Sequence, residues 1–330
     1  LDRGAESSFA DAVSPQGKIC DLGLAPKTAK TPEYAFGLNY GYHLNAGKFV
    51  ELLKRHCVDS LGVDYQIGHV EQVLASEEGD ITALSLTRGD KISGDLFVDC
   101  TGFSALLIGK HYQVPFVSQR DCLFNDTALA VQADHAAEDT AIASCTKSTA
   151  QSSGWVWDIA LPTRRGIGHV FSSQHVSVEK AEDELQRYLA ADPALAKKQH
   201  SPRKITFQPG HREHFWHKNC VAVGVSAGFV EPLEASALVL IEKSAEFISN
   251  NLPQDRAAMT VVAKRFNEII STYWVDIIDF LKLHYVLTER TDSDYWRDHV
   301  RRQSIPDSLQ DSLELWRSQV PWVSDGNNRA

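Results

Sequence analysis

The segment Gly154-Trp155-Val156-Trp157-Asp158-Ile159 carries more information about this chain than any other short stretch. In an extended strand alternate side chains lie on one face, so we expect Trp155, Trp157 and Ile159 to form a wide apolar wall. Paired aromatic residues most often close an ordinary core. The same wall can instead shield a reactive site from water, and the periodicity alone favours neither interpretation.

The composition is that of a globular protein with a sizeable core. Of the 330 residues 43% are hydrophobic, and the formal net charge of −10 argues against a general nucleic-acid or anionic-membrane surface. No apolar run approaches the roughly 20 residues that span a bilayer. Six scattered cysteines include no Cys-x-x-Cys pair, and Cys57, Cys100 and Cys220 fall in apolar patterns. We therefore expect reduced core thiols, a cytoplasmic protein and no metal site.

Proline, glycine and capping residues divide the chain into alternating helical and extended patterns. Residues 1–34 are polar and irregular, Asn45 can cap a helix that runs to about Ser60, and residues 123–175 are rich in strand patterns. The hydrophobic periodicity predicts further elements, which are a strand meander at 63–74, 81–87 and 90–93, a helix at about 178–191, and two or three helices within 255–318.

Two apolar runs predict buried strands that end in glycine-bearing loops. The first closes on Asp99-Cys100-Thr101-Gly102, and the second, Cys220-Val221-Ala222-Val223-Gly224, leads through Gly228 to a helix that begins with Glu231-Pro232-Leu233-Glu234. Such strand ends often hold a ligand in α/β proteins, although a turn glycine with a polar cap accounts for the first equally well. A helix N-terminus after a glycine loop also offers backbone N–H groups to a phosphate or a halide.

Four segments, taken together and in this order, resemble motifs of the flavin-dependent tryptophan halogenase family. The tryptophan segment matches the family's hallmark Trp-x-Trp-x-Ile-Pro, which is more specific than any glycine loop, and the similarity extends from about Tyr34 to about Leu313. The four segments are Asn39-Tyr40-Gly41-Tyr42-His43-Leu44, Gly94-Asp95-Leu96-Phe97-Val98-Asp99-Cys100-Thr101-Gly102, Gly154-Trp155-Val156-Trp157-Asp158-Ile159, and Gly228-Phe229-Val230-Glu231-Pro232-Leu233-Glu234.

The resemblance implies an α/β, FAD/NAD(P)-binding-like fold similar to that of aromatic hydroxylases. It adds a β-rich sheet on the substrate side and a helical C-terminal part. The implied division is an irregular segment at 1–34, a partial FAD-binding domain at 35–250 with a β-rich insertion at about 111–210, and a helical substrate-side region at 251–330.

The resemblance also implies a chemistry. In the family, a separate flavin reductase supplies reduced FAD, which with oxygen and chloride or bromide yields hypohalous acid. A lysine then delivers the halogen to tryptophan or another electron-rich indole, while a glutamate orients the electrophile or takes up the ring proton. A small aromatic substrate and a flavin reductase are therefore the expected partners, and a homodimer is left open.

The motifs assign these roles to particular residues of this chain. Glu234 matches the catalytic glutamate, and we expect burial beside apolar walls to raise its pKa. The backbone amides of Ser236 and Ala237 are expected to bind the halide. The resemblance assigns the remaining positions as the cofactor-binding residues Gly102, Gly224, Gly228 and Phe229 and the active-site wall of Trp155, Trp157 and Ile159.

The chain departs from the family pattern at several positions. It contains no Gly-x-Gly-x-x-Gly turn for the FAD pyrophosphate and no lysine that matches the catalytic one, and it opens at Leu1, so we expect a piece of a longer halogenase. Ala160 replaces the motif proline, and Ala235 and Ala237 replace a serine and a glycine. Two other hypotheses stay open, an FAD-dependent aromatic monooxygenase and a non-catalytic remnant that binds no flavin.

Overall fold

A computed structural model describes residues 13–137, 139–193, 195–196 and 200–322. The beginning of the predicted irregular segment and the end of the predicted helical region lie outside the described residues. The chain divides into two compact units. The first takes in the described residues up to Tyr65 with Ala128–Val170 and Val178–Ile205, and the second takes in Gln66–Thr127, Phe171–Ser177 and the described residues from Thr206 onward. The domain division at about residues 34 and 250 stays a prediction.

The strands are short except in one sheet. In chain order they are β1 Val70–Ala75, β2 Ile81–Leu86, β3 Lys91–Ser93, β4 Phe97–Asp99, β5 Phe116–Ser118, β6 Thr127–Asp134, β7 Lys147–Ala150, β8 Gly154–Ala160, β9 Arg164–Phe171, β10 Arg203–Thr206, β11 Gly210–Arg212, β12 Trp216–His217, β13 Cys220–Ala222 and β14 Gly228–Phe229.

The α-helices lie mainly in the C-terminal half. They are α1 Gln16–Asp21, α2 Ala46–Arg55, α3 Val178–Ala190, α4 Ser236–Asn250, α5 Arg256–Val286, α6 Asp294–His299 and α7 Asp307–Leu315. The three helices α5, α6 and α7 confirm the helical pattern predicted within 255–318, and α3 confirms the helix predicted at 178–191. Helix α1 was not predicted, because the polar composition and prolines of the first 34 residues indicated an irregular segment.

The sheet of the first unit contains the tryptophan segment. Its strand order is β10-β6-β9-β8-β7, and β7 pairs antiparallel with β8, so that Ser148 lies opposite Trp157. Val156 lies on the opposite face of β8 from the tryptophans and is fully buried. Leu185 and Leu189 of α3 are also buried, with 0% and 1% of their surface exposed. The β-rich character predicted for this region is confirmed.

Helix α2, also in the first unit, begins where the sequence predicted. Its apolar residues are less buried than predicted. The Asn45 side chain accepts a hydrogen bond from Lys48 N and caps the helix, which continues into a π-helical turn that ends at Ser60. The apolar residues Phe49, Leu52, Leu53 and Cys57 recur at helical spacing and predict an inward-facing stripe. Leu52 and Leu53 are nevertheless 51% and 46% exposed. The prediction is wrong for Leu52 and Leu53, whereas Phe49 and Cys57 are half-buried.

The second unit contains both predicted buried strands. Strands β1, β2 and β3 form the expected antiparallel meander. In a second sheet of order β12-β13-β4, strands β13 and β4 run parallel, with Ala222 opposite Asp99. Their carboxyl ends therefore meet at one edge of this sheet. Cys220 is buried in the central strand as predicted, whereas Cys100 is exposed because it follows the last residue of the edge strand β4.

The core of the second unit packs against α5. Asp255 caps this helix by accepting a hydrogen bond from Ala258 N. Its buried residues recur every three or four positions, as expected for a helix that presents one face to a core: Met259, Ala263, Phe266, Ile270, Trp274, Ile277, Ile278, Leu281 and Tyr285. The aromatic residues of this stripe, Phe266, Trp274 and Tyr285, are core residues. In the part of the chain that the structure describes, no helix combines the length and hydropathy needed to cross a membrane.

Candidate active site

The end of β4 is organised by a buried carboxylate. One oxygen of Asp99 accepts hydrogen bonds from Leu107 N and Ile108 N, both at 2.8 Å, and the other accepts from the amide and hydroxyl of Thr101. Asp99 is only 1% exposed and therefore serves as an internal cap for the turn that follows. Gly102, three residues after Asp99, has φ +64°, a backbone conformation that favours glycine, and a side chain built there would meet open space.

A narrow apolar crevice lies beyond the parallel strand β13. Its lining includes Gly224, Gly228, Phe229 and Ala237, which the family motifs assigned to the cofactor and the halide. At about 50 Å³ it is far smaller than the roughly 300–1,000 Å³ of a typical small-molecule pocket. The crevice is therefore too small to enclose a ring system as large as a flavin.

The two loop positions Gly224 and Gly228 of the crevice require glycine for different physical reasons. Gly224 has φ +74°, a backbone conformation that side-chain-bearing residues rarely adopt. Gly228 has an ordinary φ, but a Cβ there would lie 2.6 Å from Gly210 O and 2.7 Å from His211 Cα. Gly228 is therefore required for close packing against strand β11. This internal requirement accounts for the glycine without any ligand.

The segment before α4 is a strained turn, where the sequence had predicted the start of a regular helix. Helix α4 begins at Ser236, and the preceding Glu234 and Ala235 both have left-handed backbone angles, with φ +63° and +54°. Non-glycine residues in this region cost free energy and cluster at functional sites. The turn leaves the Glu234 side chain 47% exposed. The first amides of α4, including those of Ser236 and Ala237, receive no side-chain cap from Ala235.

Glu234 is paired with His284, a residue that was not predicted from the sequence to belong to the site. His284, near the end of α5, places Nε2 3.4 Å from Glu234 Oε1. The hydrogen bond from His284 lowers the pKa of Glu234, and the same bond raises the pKa of His284. The expectation that burial raises the Glu234 pKa is therefore wrong, because the carboxylate is half-exposed and accepts a hydrogen bond from His284. At neutral pH Glu234 is ionised and can accept a proton.

The first glutamate of the same turn is the buried one. Glu231 is 3% exposed, and its Oε2 accepts hydrogen bonds from Asn125 Nδ2 at 2.7 Å and from the Tyr285 hydroxyl at 2.6 Å. Tyr295 in turn donates to Asn125 Oδ1 at 3.1 Å. Tyr285 and His284 are neighbours on α5, so adjacent residues of one helix hold the two glutamates of the turn. No local sequence pattern connects these partners.

A buried lysine lies close to this network. Lys282 is fully buried, and its ammonium nitrogen lies 2.9 Å from His299 Nδ1, 3.1 Å from Cys122 O and 3.1 Å from Ser304 Oγ. Burial lowers the pKa of Lys282 to about 7. The sequence analysis missed this residue, although its position on the apolar face of α5, after Leu281, is a readable signal.

The tryptophan wall belongs to the first unit. Trp155 is buried and Trp157 half-buried on the same face of β8, and their rings meet edge to face with centroids 6.2 Å apart. Ile159 on that face is half-buried as well. Trp157 packs directly over Gly168 of β9, where a Cβ would collide with its indole ring. The alternation predicted from the sequence is confirmed, and the use of the wall as an active-site shield stays a prediction.

Comparisons with known proteins agree with the motifs. The sequence model of the family described as tryptophan halogenase matches residues 1–328. Tryptophan 7-halogenase KtzQ from Kutzneria sp. (strain 744) is 34% identical over 320 residues, which are 96% of this chain and 58% of KtzQ. Tryptophan 6-halogenase ThaL from Streptomyces albogriseolus is 33% identical over 96% of this chain and 57% of its own length.

Solved structures give the same result. A tryptophan halogenase from Shewanella frigidimarina NCIMB 400 superposes with a TM-score of 0.92 at 51% identity, over 97% of this chain and 61% of that one. BrvH, a flavin-dependent halogenase from Brevundimonas sp. BAL3, superposes with a TM-score of 0.84 at 34% identity, over 98% of this chain and 66% of that one. The α/β fold with a helical C-terminal part is that of flavin-dependent halogenases. The chain belongs to the tryptophan halogenase family, and it spans little more than half the length of KtzQ and ThaL.

Proposed function

We propose that this chain is part of a flavin-dependent halogenase that places chloride or bromide on tryptophan or another electron-rich indole. The observation that carries the proposal is the strained turn before α4. It presents an ionised Glu234 beside the uncapped amides of Ser236 and Ala237, next to the crevice of Gly224 and Phe229. In this arrangement Glu234 can accept a proton, and the backbone amides of Ser236 and Ala237 can attract an anion.

The described residues fit one side of an FAD site. Gly102 faces open space at the end of β4, and the crevice beyond β13 offers an apolar floor. We propose that Gly102, Gly224, Gly228 and Phe229 lie against the cofactor. When bound and reduced by a separate flavin reductase, FAD would activate oxygen, and oxygen is the oxidant that converts a halide into an electrophile.

The residues of this chain would then have separate tasks. Ser236 and Ala237 amides hold the halide at the positive end of the α4 dipole. His284 keeps Glu234 ionised, so that the carboxylate can orient the electrophile or remove the proton from the ring carbon that is halogenated. Trp155, Trp157 and Ile159 form the wall that keeps the cofactor from acting directly on the substrate. A cytoplasmic location is also part of the proposal and rests on the cysteine pattern of the sequence.

The direct test uses protein expressed from its complete reading frame. The protein is incubated with FAD, a flavin reductase, NADH, oxygen, chloride or bromide, and a panel of indoles, and products are identified by mass spectrometry. We expect a product with a halogen isotope pattern. Oxygen insertion without halogen would favour the aromatic monooxygenase, and a flavin-loaded protein that yields no product would contradict both enzymatic hypotheses.

A matched pair of variants tests the role of Glu234. We expect Glu234→Gln to lower the rate of halogenation by about a hundredfold or more, the usual contribution of a positioned acid or base. Glu242→Gln changes another exposed glutamate of the same region, on α4, and should leave the rate unchanged. Equal rates in the two variants would remove Glu234 from the proposed mechanism.

A further inference from the structure

A buried carboxylate lies at the start of the strained turn that presents Glu234. The Oε2 atom of Glu231 accepts hydrogen bonds from Asn125 Nδ2 at 2.7 Å and from the Tyr285 hydroxyl at 2.6 Å. Asn125 Nδ2 also donates to the Tyr285 oxygen at 3.1 Å, so the three polar groups form a closed triangle. We call this triangle the Glu231 anchor. Moving the carboxylate out of it would leave buried polar groups without hydrogen bonds, which costs free energy.

Aromatic rings of α5 and α6 enclose the anchor. The ring of Tyr285 stacks on that of His299, with centroids 4.1 Å apart and 11° between the planes. Tyr295 meets the Tyr285 ring edge to face, and the Tyr295 hydroxyl donates to Asn125 Oδ1 at 3.1 Å. Tyr295 and His299 are fully buried, and Tyr285 is 3% exposed. Because close-packed side chains are held in fixed rotamers, the Tyr285 hydroxyl keeps its direction towards Glu231.

The backbone between the Glu231 anchor and Glu234 is short and stiff. Pro232 follows the anchor directly, and its ring fixes φ, which is −78°. Ala235 N donates to Pro232 O at 3.1 Å and closes the turn. Glu234 and Ala235 have left-handed angles, φ +63° and +54°, which persist only where the surrounding structure holds them. The anchor supplies such a hold at the N-terminal side of the turn.

Two adjacent residues of α5 therefore fasten the turn at two points. Tyr285 binds Glu231 inside the core, and His284 places Nε2 3.4 Å from Glu234 Oε1 at the surface. We propose that Glu231 is a positioning residue, which fixes the turn so that the Glu234 carboxylate stays beside His284. The catalytic meaning of this role rests on the proposed function, whereas the placement of Glu234 does not.

A comparison of Glu231→Gln with Glu231→Leu tests this role without turnover. Both variants remove the charge, so they change the electrostatic field at His284 alike, but only glutamine keeps a side-chain oxygen for Asn125 and Tyr285. The hydrogen bond with Glu234 raises the pKa of His284. In NMR titrations of histidine in the protein expressed from its complete reading frame, we expect the His284 pKa to be lower in Glu231→Leu than in Glu231→Gln.

Two further variants separate positioning from a general loss of stability. Phe266→Leu trims a fully buried α5 side chain that packs against Trp216 and Phe247, and it should leave the His284 pKa unchanged. Tyr285→Phe removes one donor of the anchor and should shift the His284 pKa in the same direction as Glu231→Leu.

Three results of the titration would overturn the proposal. The first is an equal His284 pKa in Glu231→Gln and Glu231→Leu. The second is a shift in Phe266→Leu as large as that in Glu231→Leu. If Glu231→Leu does not fold, Tyr285→Phe decides, and a native His284 pKa in that variant is the third.

Kinetics connect the position of Glu234 with the proposed function. We expect kcat for halogenation to fall about tenfold or more in Glu231→Leu, because a small displacement of a catalytic group has an effect of this size. The KM for the indole should change little, and Glu231→Gln should recover most of kcat. A slow Glu234→Gln together with a native kcat in Glu231→Leu would overturn the positioning role. A native rate in Glu234→Gln would instead contradict the proposed function of Glu234, and the titration alone would then decide the role of Glu231.

Discussion

The carboxylate of Glu234 and the imidazole of His284 lie 3.4 Å apart, although one belongs to the turn before α4 and the other to the end of α5. This pair sets the charge of the proposed proton acceptor. Both groups are about half-exposed, so solvent screens the interaction and its contribution to stability is small, about 1 kcal/mol or less. Its importance lies in the ionisation state of Glu234.

Removing the carboxylate should therefore lower the pKa of its partner. We expect Glu234→Gln to lower the pKa of His284, because the hydrogen bond with the carboxylate is the main cause that raises it. Histidine resonances followed by NMR titration measure this shift. Glu246→Gln, which changes an exposed glutamate paired with Lys243, should leave His284 unaffected.

The sign of the pH dependence follows from the two shifts. The raised His284 pKa stabilises the folded chain below the unfolded histidine pKa, and this term is lost as pH rises through the folded value. The lowered Glu234 pKa stabilises it above the unfolded glutamate pKa, and this term is lost as pH falls through the folded value. The pair should therefore stabilise the fold most between the unfolded pKa of glutamate and the unfolded pKa of histidine. A stability difference between native protein and Glu234→Gln that does not change with pH would contradict this account.

The buried Lys282 should make the folded chain more stable as pH rises above neutrality. Its pKa is about 7 in the folded state and about 10.4 in an unfolded chain, so between these values the unfolded state binds more protons. Urea unfolding at about pH 7, 8 and 9 should show the free energy of unfolding rising, and Lys282→Met should flatten that rise.

The Lys282 measurement has an upper pH limit and a control variant. The pKa values of buried Cys122 and Cys220 are raised, which gives the opposite slope above the ordinary thiol pKa, so the window closes at about pH 9. Lys264→Met alters an exposed lysine of the same helix and should keep the native slope. A slope that survives in Lys282→Met would show that another group is responsible.

The hydrogen bonds to Glu231 should contribute strongly to stability. Tyr285→Phe removes a donor to a buried carboxylate and should lower the free energy of unfolding by about 1–3 kcal/mol, the usual cost of a poorly satisfied buried polar group. Tyr273→Phe, on the same helix and only partly buried, serves as the control. Chemical denaturation of both variants measures the difference, and equal stabilities would mean that water replaces the lost donor.

Gly168 should be required for the position of Trp157. A Cβ at Gly168 would overlap the indole ring, so we expect Gly168→Ala to destabilise the sheet by about 1–3 kcal/mol, as overpacking usually does. Gly166→Ala on the same strand is a close control, because its Cβ would lie 3.9 Å from the nearest side chain. Thermal unfolding and tryptophan fluorescence report the change. The smaller leucine side chain in Gly168→Ala/Trp157→Leu should restore part of the stability lost in Gly168→Ala.

The sequence by itself determined the local elements and the family. The alternation of β8, the buried strands β4 and β13, the Asn45 cap and helix α3 follow from periodicity and capping within short windows, where backbone hydrogen bonds dictate the pattern. The ordered motifs were sufficient to indicate a tryptophan halogenase. They also placed Glu234 and the amides of Ser236 and Ala237 in one turn.

Only the tertiary structure decided which of these groups are buried and which residues they contact. Glu231 and Glu234 look alike in the sequence, yet one is enclosed by Asn125 and Tyr285 while the other is half-exposed beside His284. Each of these partners is distant along the chain, so no local pattern specifies the pairing. Desolvation and opposite charge set the pKa of a group, and both depend on how the whole chain packs around it.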